Sequence, residues 1–368
     1  MRGYEERMKS YNHLWERLVS DDNYYLAVEN ATKGKTRKNK KHRRARYYRE
    51  HAAELKDSFL EYVRNYKHRD HKPIEVYDGI RRKKRKIYVP NIEEQILHHM
   101  IVNILKPIFM KSMYEHSYGS IPGRGAHKAK KVIERWIHKN DRHFKYILKM
   151  DIKKYFDSVL HDILKRKLAD LIHDDRFLNL LFEIIDTTDV GIPIGFFTSQ
   201  WIANWYLTEL DHYIKEVLGV KYYVRYMDDM VVAGSNKRKL HRIRCLISEY
   251  LERELGLEMK KNWQVYLFDY KDKGRDLDFM GFRFFRDRTV LRRTIFLKAM
   301  RKARKIKARG LNIYAARQML SYLGWFKCTN TYGAYLKYIK PFLSFRTLRR
   351  YVSRWDKKHN QEVNYGLV

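Results

Sequence analysis

The stretch RYMDDMVVAG, residues 225–234, places two adjacent aspartates, Asp228 and Asp229, inside what otherwise reads as a buried strand. Adjacent carboxylates repel each other, and burying them without partners would cost several kcal/mol or shift their pKa values. A further aspartate, Asp151, ends the apolar strand pattern YILKMD. If these strands are neighbours in one sheet, the carboxylates converge at one edge. There they are suitable ligands for two Mg²⁺ ions about 4 Å apart, which would neutralise their charge.

The residues around the aspartates make this interpretation more specific than an isolated Asp-Asp pair, which is commonly part of a turn. Short runs of tyrosine and valine flank Asp228 and Asp229, as in a β-hairpin with Asp228 at its bend. A glycine-containing turn, GIPIGFFTSQ at residues 191–200, opens a long helix between the two strand patterns. A two-metal site promotes in-line attack by a primer 3′-hydroxyl on a nucleoside triphosphate, so the pattern predicts nucleotidyl transfer.

Charge points to the class of partner. The chain of 368 residues has a formal net charge of +35, from 78 Lys and Arg against 43 Asp and Glu, which favours nucleic acid as a partner. No apolar run approaches the length of a membrane span and the N-terminus has no signal-peptide core, so we expect no membrane association. Cys245 and Cys328 are far apart and belong to no CxxC motif. This spacing excludes a zinc ribbon or a disulfide framework. Because a protein without disulfides suits a reducing compartment, we expect a cytoplasmic location.

The N-terminal part is helical in pattern and strongly basic. Its segment KGKTRKNKKHRRAR, residues 33–46, has no apolar residue larger than Ala45, so it cannot form part of a core. A solvated surface is one interpretation. A phosphate-binding segment that includes Arg43, Arg44 and Arg46 is the interpretation that the charge favours.

Two motifs, YMDD at residues 226–229 and MDIKKYFDSV at 150–159, resemble the catalytic motifs of reverse transcriptases. The resemblance covers about residues 75–340 and implies an RNA-directed DNA polymerase. It also implies an α+β right-hand polymerase fold with fingers, a palm with an antiparallel sheet, and a helical thumb. The expected domains are a basic helical N-terminal extension at 1–75, fingers and palm at 76–290, and a helical basic thumb at 291–368.

The resemblance also assigns roles to individual positions. Asp151, Ile152 and Asp228 are expected to hold the two Mg²⁺ ions, with Asp229 as a further catalytic carboxylate. Phe156 falls where the family keeps an aromatic residue that blocks a ribose 2′-hydroxyl, which implies a preference for deoxynucleotides; core packing is the alternative. The remaining expected positions are deoxynucleotide binding at Arg85, Lys86, Tyr155, Gly195 and Lys261, a primer grip at Phe279, Met280 and Gly281, and nucleic-acid binding at Arg124.

The stretch PIGFFTSQ, residues 193–200, indicates a subtype. Most bacterial reverse transcriptases carry a Pro-Gln-Gly turn and a later Ser-Pro, whereas this chain has Ile194 and then Ser199 followed by Gln200. This pattern resembles the reverse transcriptases of diversity-generating retroelements, which copy template adenines unfaithfully. A glutamine would hydrogen-bond the incoming sugar or base, whereas Ile194 offers dispersion and shape alone, which discriminate less. Simple packing of Ile194 is the alternative.

Other interpretations stay open. A group II intron-like or retron-like reverse transcriptase without targeted mutagenesis would share the polymerase motifs. The stretch SYGSIPGRGAHKA, residues 117–129, resembles the fingers of group II intron relatives, although Ser120 and Ile121 stand where those enzymes have Phe-Arg. A maturase would need an X domain, and we expect none, because the chain ends soon after the thumb. From a different class, an RNA-binding scaffold would explain the charge but leave the aspartates without a role.

The resemblance implies several binding partners. They are a template RNA, a cDNA or primer strand, deoxynucleoside triphosphates, and a small helical accessory variability protein. The surplus of positive charge is compatible with structured RNA and with such a protein.

Overall fold

A computed structural model describes residues 11–35, 42–78, 83–139, 143–269 and 273–358 of the chain. Residues 36–41, the middle of the basic segment predicted to bind phosphate, lie outside these ranges. The chain divides into two compact units. The first consists of residues 1–124, 148–232 and 238–264, and the second of residues 125–147, 233–237 and 265–368. The domain boundaries expected at residues 75 and 290 stay predictions.

Short helices build the N-terminal part of the first unit. They are Leu14–Leu18 (α1), Asp21–Thr32 (α2), Arg43–Glu50 (α3) and Ala52–Arg64 (α4). Helix α2 begins directly after Ser20, whose hydroxyl accepts a hydrogen bond from the Asn23 backbone N–H at 3.4 Å. Such a cap satisfies one of the N–H groups that a helix start leaves without an intrahelical partner.

A basic hairpin and one long helix follow. The strands Ile74–Asp78 (β1) and Lys83–Ile87 (β2) pair antiparallel, and the helix spans Ile92–Ser112 (α5). A capping box starts this helix: Glu94 N donates to Asn91 Oδ1 at 2.8 Å, and Asn91 N donates to Glu94 Oε2 at 2.9 Å. The apolar face of α5 is buried and packs against α2.

The main sheet has five strands in the order β3-β5-β6-β4-β7. Strands β3 and β5 pair in parallel, whereas we expected an antiparallel sheet. The β3 strand has only two residues, too few for a periodic sequence pattern to predict it. The strands are Ser117–Tyr118 (β3), Tyr146–Asp151 (β4), Tyr222–Tyr226 (β5), Asp229–Gly234 (β6) and Gln264–Leu267 (β7).

Helices of the first unit lie in the segments that connect β4 to β5 and β6 to β7. The one that matters most for the candidate site is Phe197–Tyr206 (α10), whose residues are nearly all buried and which packs against α5. A π-helical turn at Tyr213–Val217 continues the short helix Thr208–His212 (α11) that precedes it. The other helices are Tyr155–Ser158 (α7), His161–Leu171 (α8), Asp175–Ile185 (α9), Thr208–His212 (α11) and Lys237–Leu255 (α12).

The second unit has its own small sheet and a helical C-terminal part. Strands Leu277–Phe279 (β8), Phe282–Phe284 (β9) and Thr289–Leu291 (β10) form an antiparallel sheet in the order β10-β9-β8. A core of residues such as Ala299, Met319, Phe326 and Leu348 joins the C-terminal helices. The helices of this unit are Ala126–His138 (α6), Arg293–Arg309 (α13), Ile313–Lys327 (α14), Tyr332–Tyr338 (α15) and Phe345–Lys358 (α16).

The mixture of helices and sheets confirms the predicted α+β composition at this level. The division into fingers, palm and thumb stays a prediction. Among the helices in the described ranges, none combines the length and the apolar character that crossing a membrane requires.

Candidate active site

The turn that joins β5 to β6 is held by backbone hydrogen bonds on two sides. Met227 adopts a left-handed conformation, with φ of 54°, and its N–H donates to Tyr118 O at 3.1 Å. The carbonyl of Asp228 accepts from Ile152 N at 3.3 Å, directly after β4. Two neighbouring chain segments therefore fix the turn that presents Asp228.

Asp228 and Asp151 lie side by side at this edge of the sheet. Burial, together with the negative charge of Asp151 beside it, raises the pKa of Asp228 to about 6. Asp151 also accepts a hydrogen bond from Lys260 Nζ, and its backbone carbonyl accepts from Lys260 N at 2.8 Å. Yet Asp151 Oδ1 is buried with no hydrogen-bond partner among the described residues.

These two carboxylates fit a divalent cation. A cation between them would satisfy the orphaned Asp151 oxygen and favour the charged form of Asp228 that burial and repulsion now disfavour. The described part of the chain has no cluster of at least three His, Cys, Asp or Glu side chains suited to a metal. Asp229 Oδ2 lies 3.9 Å from Lys149 Nζ, and the catalytic role of Asp229 stays a prediction. Ile152 is fully buried beside the pair.

A buried ion pair lies beneath the turn. Arg225 and Asp211 are both fully buried, and the guanidinium bonds both carboxylate oxygens, with Nη2 to Oδ2 at 2.6 Å and Nε to Oδ1 at 2.8 Å. Arg225 Nη1 also donates to Met227 O in the turn at 3.1 Å. Tyr223 OH donates to Asp211 Oδ1 at 2.7 Å. The conformation of the turn is therefore tied to helix α11 through a charged network.

Helix α10 is attached to the same network. Arg225 Nη2 donates to the carbonyl of Asn204 at 3.1 Å, and Asn204 Nδ2 donates to Gly119 O at 3.0 Å and to Gln200 O at 3.1 Å. Tyr155, which is also buried, donates its hydroxyl to Ala203 O at 2.5 Å. Burial raises the pKa of Tyr155 well above its usual value, so the hydroxyl stays protonated and remains a donor.

The turn before α10 is clamped to the end of β2. Tyr88 N donates to Ile194 O at 2.8 Å. Gly195 has φ of 116°, and a Cβ atom built there would lie 2.1 Å from Tyr88 O. Glycine is therefore required for this close approach. Ile194 is half-buried, whereas Ser199 is buried, so the latter faces the protein interior.

Phe156 follows the Asp151 strand on the short helix α7. Its half-buried ring meets the ring of Tyr155 edge-on, with centroids 5.6 Å apart. Its carbonyl accepts from Ile192 N at 2.7 Å, and a Cβ on Gly191 would lie 2.5 Å from that carbonyl. The backbone of Phe156 is thus fixed, while its role as a ribose gate stays a prediction.

Several predicted positions are not brought to the aspartate pair by any described contact. Arg85 and Lys86 are exposed on β2, and Lys261 is exposed beside Lys260. Arg124 donates to the carbonyl of Tyr114 at 2.8 Å, which is a structural contact.

The predicted primer grip belongs to the second unit. Met280 and Gly281 form the tight turn between β8 and β9, with φ of 51° and 89°, and Phe279 is buried. A Cβ on Gly281 would lie 2.8 Å from Ile295. The positive φ of Gly281 favours glycine at this turn, while the role of the turn toward a primer stays a prediction.

Comparison with protein families decides the identity of the fold. Residues 70–284, more than half of the chain, match the family described as reverse transcriptase (RNA-dependent DNA polymerase). The chain belongs to the reverse transcriptase family. Residues 70–284 therefore form an RNA-directed DNA polymerase domain, and the aspartate pair lies within it.

Several curated proteins, one of them a retron reverse transcriptase, are similar to the chain. Protein YkfC of Escherichia coli K12 is 23% identical over 193 residues, which is 50% of this chain and 46% of YkfC. Retron Ec73 reverse transcriptase of Escherichia coli is 27% identical over 167 residues, covering 42% of this chain and 50% of the relative. Group II intron-encoded protein LtrA of Lactococcus lactis subsp. cremoris is 26% identical over 206 residues, covering 53% of this chain and 32% of LtrA. The chain thus spans about half of these relatives or less.

Sequence reasoning missed the residues that position this reverse transcriptase site. Asp211, Asn204 and Lys260 were not among the expected positions. One signal was available: Arg225 is a charged residue inside an otherwise apolar strand, and buried arginines require a partner. The partner itself, on a helix elsewhere in the chain, could be found only in the structure.

Proposed function

We propose that this reverse transcriptase copies a template RNA into DNA by joining deoxynucleotides to a primer 3′-hydroxyl. The observation that carries the proposal is the Asp151–Asp228 pair, with one orphaned carboxylate oxygen and a raised pKa. When bound, two Mg²⁺ ions supply Lewis-acid activation of the 3′-hydroxyl and neutralise the charge on the phosphates. Extension of a DNA primer on an RNA template, with and without EDTA, tests this proposal.

Metal binding and positioning of the catalytic turn are assigned to different residues of the chain. Asp151 and Asp228, with the backbone of Ile152, hold the metals, while Asp229 adds negative charge next to Lys149. The buried Arg225 network keeps the turn in one conformation, so that the carboxylates need not reorganise during the reaction.

The nucleotide is held from several sides. We assign the incoming triphosphate to the exposed cations Arg85, Lys86 and Lys261. The ring of Phe156 would meet a ribose 2′-hydroxyl and so favours deoxynucleotides. The backbone at Tyr155 and Gly195 supports the sugar. The growing strand is assigned to the turn formed by residues 279–281.

For the subtype, we propose a diversity-generating retroelement enzyme, which makes adenine-mutagenic cDNA and works with a small helical accessory variability protein. The support is Ile194 and Gln200, which stand where most bacterial relatives have glutamine and proline. The clamp between Tyr88 N and Ile194 O places this position against the end of β2. A shape-based contact at this place would discriminate weakly between correct and incorrect pairs.

Changing Ile194 to Gln is expected to raise fidelity opposite template adenine about tenfold, because one recovered hydrogen bond supplies about 1.4 kcal/mol. Sequencing the cDNA that the wild type and Ile194→Gln make from one adenine-rich RNA measures the change. Val190→Gln, at an exposed apolar residue before the same turn, is the matched control and should leave fidelity unchanged.

The competing assignment is a retron-like or group II intron-like enzyme without targeted mutagenesis, which the relatives Ec73 and LtrA favour. It predicts low error rates at adenine that are equal in the wild type and in Ile194→Gln. That result would remove the retroelement assignment and leave the polymerase assignment intact.

Binding of template RNA is expected to weaken steeply with salt, because each phosphate contact releases a counterion. The N-terminal helix α3 contributes Arg43, which is exposed, and Arg44, which is 70% exposed and pairs with Glu93. Neutralising Arg43, Arg44 and Arg46 together should reduce the slope of log affinity against log salt by about two to three units.

The matched control for this experiment neutralises Arg17 and Arg64, which are exposed on other N-terminal helices. Filter binding of a structured RNA over a series of salt concentrations gives the slopes. A slope that the three α3 substitutions leave unchanged would show that this surface is solvated and does not contact phosphate.

A further inference from the structure

The charges of helix α12 are arranged against the stability of the helix. Its first eight residues, KRKLHRIR, hold five Lys or Arg and no acid, whereas its last seven, EYLEREL, hold all three of its glutamates. A helix has partial positive charge at its N-terminus and partial negative charge at its C-terminus, so cations are unfavourable at the first end and anions at the second. Helix stability therefore does not account for the basic half, whereas binding of a negatively charged partner does.

The basic half of α12 lies away from the aspartate pair. Strand β6 leaves the catalytic turn at Asp229, and α12 begins after the far end of this strand. The chain that follows the glutamate-rich end returns to the pair, where Met259 forms a β-bridge with Ile152. The glutamate-rich end is thus the one nearer to the catalytic residues. Contacts made by the basic half therefore fall outside the reacting nucleotides.

Two arginines of this half lie on one exposed face of the helix. Arg238 and Arg242 are four residues apart, which places them one above the other, and both are exposed. Neither has an ion-pair or hydrogen-bond partner among the described residues. Their charge is therefore available to a phosphate without breaking a contact of the fold.

A third arginine is held beside this face by an aromatic ring. The guanidinium of Arg244 lies 4.6 Å from the centroid of the half-buried Trp263 ring, and His241 meets the same ring edge-on at 5.6 Å. Arg244 Nη2 donates to Cys245 Sγ at 2.9 Å, while its Nε is buried with no partner in the described part of the chain. The ring, and no carboxylate, fixes this guanidinium. An arginine held in this way keeps its full charge and its fork of donors for a phosphate.

We propose that the basic half of α12 is a second RNA-binding surface, on which Arg238, Arg242 and Arg244 contact backbone phosphates of a structured RNA outside the primer–template duplex. No large apolar side chain is exposed on α12, whereas the centre of a protein interface is usually apolar. Phosphate contacts need only the charges and donors that this face offers. The inference goes beyond the polymerase function proposed above, because copying a short template does not require this surface.

The test measures binding of the full chain to a labelled RNA hairpin while the polymerase site is saturated with an unlabelled short primer–template. The triple variant Arg238→Gln, Arg242→Gln, Arg244→Gln should bind the hairpin about tenfold more weakly and reduce the slope of log affinity against log salt by about two to three units. Its melting temperature should equal or exceed that of the wild type, because cations are removed from the positive end of a helix.

The matched control is the triple variant Arg17→Gln, Arg64→Gln, Arg253→Gln. It removes the same charge from exposed positions of the first unit, one of them in the glutamate-rich half of α12. It should bind the hairpin as the wild type does. Equal hairpin affinity of the two triple variants would overturn the proposal. A lower melting temperature together with lost binding would also overturn it, by assigning the α12 arginines to the fold.

Trp263 is tested as a positioning residue for Arg244. Trp263→Ala should weaken hairpin binding about threefold, roughly the share of one phosphate contact. Trp263→Phe keeps an aromatic ring beside the guanidinium and should restore the affinity. Weakening of equal size in both variants would contradict the role assigned to the ring.

Two further ligands identify the source of the negative charge. Polyglutamate stands in for an acidic protein, and a DNA hairpin of the same sequence stands in for the cDNA. If the three α12 substitutions weaken binding of either ligand more than binding of the RNA hairpin, the surface serves that other partner and the proposal is wrong. Primer extension by the wild type on a short unstructured RNA is recorded in parallel. Its failure would remove the polymerase function and leave the hairpin result standing.

Discussion

Primer extension by Asp228→Ala is expected to fall by roughly a thousandfold or more, a loss of about 4 kcal/mol of transition-state stabilisation. The reason is that Asp228 and Asp151 form the carboxylate pair that fits the metal, and alanine leaves one carboxylate alone. The initial rate on an RNA template with a DNA primer gives the size of the loss. Asp57→Ala, at an aspartate whose side chain is 94% exposed, should extend normally.

The Asp228→Asn variant distinguishes loss of metal binding from loss of folding stability. Because the folded protein raises the pKa of Asp228 from 3.8 to about 6, the metal-free fold loses stability as the pH rises through this window. Asparagine carries no charge, so this variant should melt at a higher temperature than the wild type at pH 7 without Mg²⁺. Adding Mg²⁺ should raise the melting temperature of the wild type and leave that of the variant unchanged. Equal Mg²⁺ responses would contradict the assigned metal site.

Breaking the buried ion pair is expected to cause the largest loss of stability. Arg225→Met leaves the Asp211 carboxylate buried and uncompensated, and Asp211→Leu does the same to the guanidinium. Each single change should lower the free energy of unfolding by about 3–5 kcal/mol. Chemical denaturation followed by circular dichroism measures this loss. Lys165→Met, which removes an ammonium paired with the partly exposed Asp186, is the surface control and should cost at most about 1 kcal/mol.

The double variant Arg225→Met with Asp211→Leu tests whether the ion pair serves stability alone or also positions the turn at Met227. Replacing both charges by apolar side chains is often neutral for stability, so the double variant should recover much of the loss. Activity should not recover, since Met227 O in the catalytic turn still lacks the donor that Arg225 provides. Recovery of both stability and extension would show that the network is dispensable for the turn.

The sequence predicted best where a pattern is local. The hairpin around Asp228 follows from runs of tyrosine and valine on either side of the aspartates. The juxtaposition of Asp151 and Asp228 followed from one assumption, that their strands are neighbours. The sheet order places β4 directly beside β6.

Features that depend on distant partners were not predictable. The pairing of β3 with β5 joins a strand of two residues to one far along the chain, and the Tyr88–Ile194 clamp joins two loops. Neither has a periodic signature, because each is set by how the helices pack.

The clamp at Gly195 constrains which substitutions the turn before α10 can accept over time. Any side chain at this position would collide with main-chain atoms of Tyr88, which no substitution of Tyr88 can remove. Substitution is therefore closed at the glycine itself and open at Ile194 and Gln200, the positions to which we assign copying accuracy. Under that assignment, accuracy can change through these two side chains while the backbone that carries them keeps one conformation.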